Sequence, residues 1–233
     1  MNQIHKFEAK ILSIEQVTPT VKTLRITAPV GFTYEPGQYL SLIVDVCGKP
    51  ERRSYSIVQG GEEWVEICLS EVENGRVSPV LHSMKVDSKL TAQGPLGVFV
   101  LKPNAHEKEN IFVATGTGVV PFVPMIRTLL QKTEENITLF VGYKNQTELL
   151  YDSVFKELER EYENFEYCIV LSRDDTYNGE KGHVQNLLEK YIPKDFEGDF
   201  YICGLFDMIK DVGQMLTKDW KASKERIIFE RYD

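Results

Sequence analysis

The sequence has few cysteines and no long apolar run, and each absence excludes a class of protein. Its 233 residues include four cysteines, Cys47, Cys68, Cys168 and Cys203. Their spacing excludes a CxxC pair, a zinc knuckle and an iron–sulfur cluster loop, so we expect no metal site. No apolar run reaches the ~18 residues of a membrane span, and the N-terminus lacks the apolar core of a signal peptide. We therefore expect a cytoplasmic protein with reduced thiols and no membrane contact.

Positive charge is also scarce. The chain has 27 Lys and Arg residues against 35 Asp and Glu residues, which gives a net charge of −8. Because binding a nucleic-acid backbone needs a basic surface, we expect no nucleic-acid partner. The composition, 42% hydrophobic and 27% charged, is that of a folded globular protein. The length suits one large domain or two modest ones.

The first hundred residues predict a domain of short strands. Alternating or β-branched runs are separated by turn-forming Pro-Gly, Gly-Gly and Asn-Gly pairs. This pattern is typical of an antiparallel β-barrel, which we assign to residues 1–103. The predicted strands include residues 10–17, 21–27, 39–46, 64–70 and 98–101.

A different pattern follows the polar segment 102–110. Compact apolar runs of the kind buried on both faces alternate with amphipathic stretches, which predicts a doubly wound α/β domain over residues 110–233. We expect five parallel strands at 111–115, 137–143, 165–171, 200–203 and 227–229. Helices are predicted at 121–130, 148–162, 182–191 and 206–220, with Thr147 as the cap of the second. Ligands of such a sheet bind beyond the carboxyl ends of its strands.

The first of these strand ends is followed by a glycine-containing loop. In the segment 114–121, ATGTGVVP, Gly116 and Gly118 allow the backbone to approach an anion at the start of a helix. The spacing is neither GxGxxG nor a P-loop. The residues therefore leave two interpretations open, a diphosphate site and a plain tight turn.

Two further strand ends carry candidate ligand-binding residues. Ser172 and Arg173, with Lys181 nearby, offer a hydroxyl and cations that suit the 2′-phosphate of a nucleotide. The alternative is a solvated loop with compensating charges. Cys203 and Gly204 would let a flat ring approach closely, although a buried cysteine is more often a packing residue.

Two segments of the first domain also combine reactive residue types. In RSYS (53–56), Arg53 and Tyr55 share one face of a predicted strand and Ser56 takes the other, unless the strand is simply an exposed barrel edge. In GRVS (75–78), turn amides and the Ser78 hydroxyl precede a predicted helix. The alternative for Ser78 is an ordinary helix cap.

Taken together and in this order, the motifs resemble the ferredoxin–NADP⁺ reductase superfamily over essentially the whole chain. The resemblance is greatest to bacterial ferredoxin/flavodoxin–NADP⁺ reductases, and it implies a flavin-binding barrel followed by a pyridine-nucleotide domain. The motifs that carry it are PGQY (36–39), RSYS (53–56), GRVS (75–78), GPLG (94–97), ATGTG (114–118), SR (172–173), YICG (201–204) and ERY (230–232).

The resemblance implies how the first domain holds FAD. Arg53 would bind the flavin diphosphate beside Ser54, Tyr55 would stack on the isoalloxazine, and Ser56 would hydrogen-bond near N5. The remaining diphosphate contacts would come from Gly75, Arg76, Val77 and Ser78.

The resemblance also implies roles in the second domain, for NADPH or, as an alternative, NADH. Cys203 and Gly204 would lie beside the nicotinamide, Glu230 would be the polar neighbour of Cys203, and Tyr232 would cover the flavin. Ser56, Cys203, Glu230 and Tyr232 form the implied catalytic set. The nucleotide diphosphate would contact Thr115, Gly116, Thr117 and Gly118, and the 2′-phosphate Ser172, Arg173 and Lys181.

Two features depart from the family pattern. Asp233 follows the terminal tyrosine, and we expect its carboxylates to weaken the stacking of Tyr232 on the flavin. Some relatives bring a further basic residue to the 2′-phosphate after the second strand, where the nearest candidate here is Lys144.

The implied activity is hydride transfer between NADPH and FAD, coupled to single-electron exchange with ferredoxin, flavodoxin or another small redox carrier. Two other enzymes remain alternatives, an NAD(P)H:flavin reductase and the reductase component of an oxygenase. A non-catalytic electron-transfer subunit is a third alternative, although such subunits in this family end in a cysteine-rich cluster loop that is not seen here.

Overall fold

The computed structural model describes residues 3–232. The chain divides between Val100 and Leu101 into two compact units, each with its own sheet and core. Among residues 3–232, no helix is both long enough and apolar enough to cross a lipid bilayer.

The first unit is a closed antiparallel barrel of six strands in the order β1-β2-β5-β4-β3-β6. Alternate residues of each strand point inward, and Ile11, Leu24, Leu40, Ile67 and Ala92 are almost completely buried at its centre. One short helix, α1 (Ser78–Ser83), packs on the barrel. The strands are β1 (His5–Thr18), β2 (Val21–Thr27), β3 (Tyr39–Val46), β4 (Lys49–Gly60), β5 (Trp64–Ser70) and β6 (Lys89–Leu96).

The barrel confirms the predicted fold of the first domain but places its last strand earlier. The predicted strand at 98–101 is wrong, since the chain there has no regular structure, and the sheet closes through β6 instead. Gly94 and Pro95 lie within β6 and obscure its alternation. A Cβ at Gly94 would collide with the Leu40 side chain and crowd the Tyr39 carbonyl, so glycine is favoured where β6 pairs with β3.

The second unit is a parallel sheet in the order β10-β9-β8-β7-β11-β12. The doubly wound sheet is thus confirmed, with one short edge strand more than the five predicted. Its strands are β7 (Asn110–Thr115), β8 (Ile137–Tyr143), β9 (Phe165–Leu171), β10 (Glu180–Lys181), β11 (Asp199–Gly204) and β12 (Ile227–Arg231). Its helices are α2 (Phe122–Leu130), α3 (Asp152–Glu161), α4 (Val184–Tyr191) and α5 (Phe206–Gln214).

Two predicted helices begin or end more than two residues away from the observed bounds. α3 starts at Asp152 rather than 148, because Tyr151 adopts a left-handed conformation with φ of 56°. Thr147 is therefore not the cap of α3. Residues Gln146–Glu148 instead form a separate 3₁₀ turn. Asn145 caps this turn, because its side chain accepts from the Thr147 amide at 3.0 Å. α5 ends at Gln214 and continues as a π-helical turn, Met215–Asp219.

An ion pair anchors the amino-terminal end of β11. Asp199 is completely buried, and its Oδ1 accepts from Lys102 Nζ at 2.8 Å. The same ammonium donates to the Glu225 carbonyl at 3.1 Å, and the Lys102 amide donates to the Tyr201 hydroxyl at 3.0 Å. Lys102 thus links the start of this unit to β11 and to the segment before β12.

Candidate functional site

Strand β4 presents the predicted flavin-binding residues with the expected alternation. Arg53 and Ser54 are exposed, Tyr55 is half-buried, and Ser56 is 4% exposed. Tyr55 packs against the barrel core, and this burial raises the pKa of its phenol to about 12, although the charge of Arg53 opposes the rise. A cation, an aromatic ring and a buried hydroxyl therefore follow one another along β4.

Two guanidinium groups meet at one carboxylate on the barrel surface. Arg53 Nη1 lies 3.8 Å from Glu51 Oε2, and Arg76 Nη2 lies 2.8 Å from Glu51 Oε1. Arg53 belongs to β4, whereas Arg76 precedes α1, so the fold brings together two cations that are far apart in sequence. The pair shows that these side chains can share a single anionic group.

The GRVS segment forms a tight loop before α1. The Gly75 amide donates to the Val72 carbonyl at 2.8 Å, and Ser78 Oγ accepts from the Val72 amide at 3.0 Å. A Cβ on Gly75 would lie 2.8 Å from Ser78 Oγ, which the loop could not accommodate unchanged. The helix-cap alternative for Ser78 is wrong, because Val77 is the N-cap residue and no side chain caps it.

The glycine loop after β7 lies against the end of β11. Residues Gly116–Val119 form a 3₁₀ turn that leads into α2. Gly116 has a φ of +52° and an open surrounding, since an added Cβ would meet no atom of residues 3–232 within 4 Å. A Cβ on Gly118 would overlap the Cys203 carbonyl. Gly116 therefore leaves backbone accessible, while Gly118 permits close packing of two strand ends.

The contact between these two strand ends continues at Thr115 and Gly204. The Leu205 amide donates to Thr115 Oγ1 at 3.4 Å. Gly204 has a φ of +147°, and a Cβ there would overlap the Thr115 hydroxyl. The carboxyl ends of β7 and β11 thus lie side by side, with Gly118 in the loop after β7 and Gly204 at the end of β11.

Cys203, Glu230 and Tyr232 come together at the ends of β11 and β12. Cys203 pairs in register with Glu230, and the Tyr232 amide donates to the Gly204 carbonyl at 3.1 Å. Burial, assisted by the charge of Glu230, raises the pKa of the Cys203 thiol, although a hydrogen bond with the Tyr232 side chain lowers it. Burial also raises the pKa of Glu230 to about 7. At neutral pH the thiol is therefore protonated, and the carboxyl group titrates.

The loops after β8 and β9 bring the remaining candidates to one edge of the sheet. The Arg173 amide donates to the Lys144 carbonyl at 2.8 Å, and the Ser172 amide donates to the Tyr143 carbonyl at 3.0 Å. Lys181 pairs in register with Leu171, next to Ser172, and its ammonium donates to the Asp175 carbonyl at 2.8 Å. Three basic residues therefore lie on neighbouring strand ends.

Sequence reasoning assigned no role to two residues in these regions, Glu51 and Asp174. The sequence pattern could have indicated Glu51, because this residue alternates with Arg53 and Tyr55 along β4. Asp174 accepts from Gln146, which is 28 residues away, and no local pattern reveals such a contact. The predicted effect of Asp233 falls on a residue outside the part of the chain that the structure describes.

Two family models match the chain, one on each unit. An oxidoreductase FAD-binding domain matches residues 8–101, and an oxidoreductase NAD-binding domain matches residues 112–214. Together they cover most of the sequence in the order that the motifs predict.

Among curated relatives, ferredoxin–NADP reductase B of Sorangium cellulosum is 28% identical over 249 residues, covering 100% of both chains. The reductase component DmpP of phenol 2-monooxygenase from Pseudomonas sp. strain CF600 is also 28% identical, over 98% of this chain and 66% of the relative. The chain thus spans the whole of the first relative but just under two thirds of the second.

Solved structures share the fold at low identity. The Amycolatopsis cytochrome P450 reductase GcoB superposes with a TM-score of 0.91 at 22% identity, over 100% of this chain and 71% of the other. A ferredoxin NADP⁺ reductase from Neisseria gonorrhoeae with bound FAD and NADP gives 0.85 at 20% identity, over 98% and 99%. The two matching oxidoreductase domains, their order and the full-length similarity to a ferredoxin–NADP reductase show that the chain belongs to the ferredoxin–NADP⁺ reductase superfamily of FAD- and NAD-binding oxidoreductases.

Proposed function

We propose that this chain is an NADPH-dependent reductase that delivers electrons through FAD to a small one-electron carrier such as ferredoxin or flavodoxin. The observation that carries the choice of NADPH over NADH is the backbone hydrogen bond of 2.8 Å between the Arg173 amide and the Lys144 carbonyl. It supports a 2′-phosphate site, because it holds two basic residues side by side at the edge where a parallel sheet binds its nucleotide.

The barrel residues fit the diphosphate of FAD. The carboxylate of Glu51 is an anion between Arg53 and Arg76, and a phosphate group would make the same kind of charge-assisted contact with both guanidinium groups. Gly75, Val77 and Ser78 would add loop amides and a hydroxyl to the same group. Tyr55, which lies between Ser54 and Ser56 in the sequence, would stack on the flavin ring. When bound, FAD supplies the exchange between two-electron and one-electron chemistry.

The strand ends of the second unit fit a pyridine nucleotide. The segment 115–118, with its open backbone at Gly116, would face the diphosphate, and Ser172, Arg173 and Lys181 would bind the 2′-phosphate. Gly204 would leave room for the nicotinamide beside Cys203. Tyr232 is exposed next to Gly204, and we propose that its ring competes with the nicotinamide for the flavin.

Glu230 and Cys203 would have different tasks at the nicotinamide. Because the pKa of Glu230 is about 7, its carboxyl group can hold or release a proton near neutral pH. The Cys203 thiol stays protonated and is completely buried, so it acts through its size and polarity rather than as a nucleophile.

The proposal is tested by measuring steady-state kinetics of Arg173→Ala with NADPH and with NADH. Loss of a charge-assisted phosphate contact should raise the KM for NADPH about ten- to hundredfold and leave the KM for NADH almost unchanged. Arg160→Ala, which removes an exposed guanidinium from α3, is the matched control and should leave both values unchanged. Equal losses with both nucleotides would contradict the NADPH assignment.

The reductase component of an oxygenase is a second candidate, supported by the similarity to DmpP. The two functions differ in the acceptor. Reduction of purified ferredoxin or flavodoxin by NADPH supports the first function. If neither carrier is reduced although a dye is reduced, the oxygenase-linked function is favoured. Retention of FAD on gel filtration separates both of these functions from a flavin reductase that releases its flavin.

A further inference from the structure

We propose that Asp174 is a positioning residue for nucleotide selectivity, whose carboxylate ties the loop after β9 to the loop after β8 and so holds Arg173 beside Lys144. This inference rests on the proposed NADPH function and adds a residue that does not itself contact the nucleotide.

Both carboxylate oxygens of Asp174 take part in the link. Oδ2 accepts from Gln146, from the side-chain amide at 3.0 Å and from the backbone amide at 3.3 Å. Oδ1 accepts from Thr176, from the amide at 3.0 Å and from the hydroxyl at 2.6 Å. One oxygen therefore reaches across to the neighbouring loop, and the other fixes the turn of its own loop.

The position of the link in sequence explains its effect on the basic residues. Asp174 directly follows Arg173, and Gln146 lies two residues after Lys144. The bond between the Arg173 amide and the Lys144 carbonyl and the bonds of Asp174 thus join the same two loops at successive points. Loops of this kind are otherwise mobile, and ordering them when a ligand binds costs conformational entropy. A loop pair that is already joined lowers this cost.

The same contacts argue against a different role for Asp174. A free carboxylate at this edge would accept a hydrogen bond from the ribose 2′-hydroxyl of NADH and would repel a 2′-phosphate. Here both oxygens already have two donors each, within the two loops. These donors lower the pKa of Asp174 to about 2, so the carboxylate stays charged and bound to the loops at every working pH.

The test measures binding of adenosine 2′,5′-bisphosphate and of adenosine 5′-monophosphate to the FAD-loaded full chain by calorimetry. Asp174→Ala should weaken the bisphosphate about three- to tenfold and leave the monophosphate unchanged. Gln146→Ala should act in the same direction but less, because its backbone amide still donates. Asp174→Asn keeps one acceptor oxygen and should fall between the wild type and Asp174→Ala.

Asp175→Ala is the matched control, since it removes the same charge one residue further along the loop. It should leave bisphosphate binding unchanged or slightly tighter. Kinetics provide a second measurement: Asp174→Ala should raise the KM for NADPH by a similar factor while kcat at saturating NADPH stays at the wild-type value.

Three results would overturn the inference in distinguishable ways. If the wild type prefers the bisphosphate and Asp174→Ala keeps that preference unchanged, the positioning role is wrong. If Asp174→Ala increases the preference, Asp174 acts only through its charge, and the positioning role is wrong as well. If the wild type itself does not prefer the bisphosphate, the NADPH function fails and the inference fails with it.

Discussion

Cys203 and Glu230 lie opposite each other in register on the neighbouring strands β11 and β12. Burial raises the pKa of both side chains, and each pKa moves towards the neutral, protonated form. A thiol and a carboxyl group that are both uncharged can lie side by side without repulsion. Of these two side chains, only Glu230 therefore changes its charge near neutral pH.

The raised pKa of Glu230 predicts how stability depends on pH. The folded chain holds this proton up to about pH 7, whereas an unfolded glutamate loses it near its ordinary pKa of about 4.3. The contribution of Glu230 to the free energy of unfolding is therefore complete below about pH 4, falls as the pH rises and levels off above about pH 7. We expect a loss of about 2 kcal/mol across this range, because the partly exposed side chain is screened by solvent.

The measurement is urea unfolding between pH 4 and pH 8 of the wild type and of Glu230→Gln. The variant should lack this part of the pH dependence. Glu189→Gln, on the exposed side of α4, is the control and should follow the wild type. Parallel curves for the wild type and Glu230→Gln would show that Glu230 titrates at its ordinary pKa.

The close packing at Gly118 predicts that a single methyl group there is costly. A Cβ at Gly118 would overlap the Cys203 carbonyl, so Gly118→Ala must push the ends of β7 and β11 apart. We expect a loss of about 2 kcal/mol in the free energy of unfolding. Gly213 lies in α5, and its added Cβ would meet no atom of the described part of the chain within 4 Å, so Gly213→Ala should instead stabilise the chain by about 0.5 kcal/mol. Equal effects on the melting temperature would contradict the close approach.

The buried ion pair of Lys102 and Asp199 predicts a large effect of removing its cation. Lys102→Met would leave a completely buried carboxylate, whose Oδ2 already has no hydrogen-bond partner among residues 3–232. We expect a loss of about 3 kcal/mol in the free energy of unfolding.

A matched pair on the barrel tests whether burial is the reason. Lys89 and Glu8 approach to 2.7 Å, but both side chains are more than 60% exposed. Lys89→Met should therefore change the free energy of unfolding by no more than about 0.5 kcal/mol. If both lysine variants lose the same free energy in chemical denaturation, the burial of Asp199 has no special effect.

Elements with strong local patterns could be predicted from the sequence, and those that depend on a partner strand could not. β8 and β9 are compact apolar runs, and their predicted bounds are those observed. β10 has two residues and exists only because it pairs with the end of β9. β6 is obscured by Gly94 and Pro95, whose place in the strand depends on its pairing with β3.

The candidate site divides in the same way. The glycine loop, the Ser172–Arg173 pair and the Cys203–Gly204 strand end have sequence signals, because each is a short segment with an unusual composition. The link from Asp174 to Gln146 and the meeting of Arg53 and Arg76 at Glu51 join residues distant in sequence. Such contacts depend on the tertiary fold. The functional roles of all these residues stay predictions.

The position of Glu51 predicts that it competes with the FAD diphosphate. Glu51→Gln removes the anion that Arg53 and Arg76 share, so both guanidinium groups become available to phosphate. We expect FAD to bind about two- to fivefold more tightly, as is usual for a partly exposed ion pair. Fluorescence titration of the apoprotein with FAD measures this change. Glu8→Gln is the control, and weaker FAD binding by Glu51→Gln would contradict the prediction.

The central claim, that one chain binds FAD and reduces it with a pyridine nucleotide, is tested most directly by anaerobic absorbance spectroscopy. The purified protein, reconstituted with FAD and passed through gel filtration, should keep the absorption bands of bound flavin. NADPH should then bleach these bands, and an equal concentration of NADH should bleach them more slowly. A protein that emerges colourless, or whose bound flavin neither nucleotide reduces, would contradict the account.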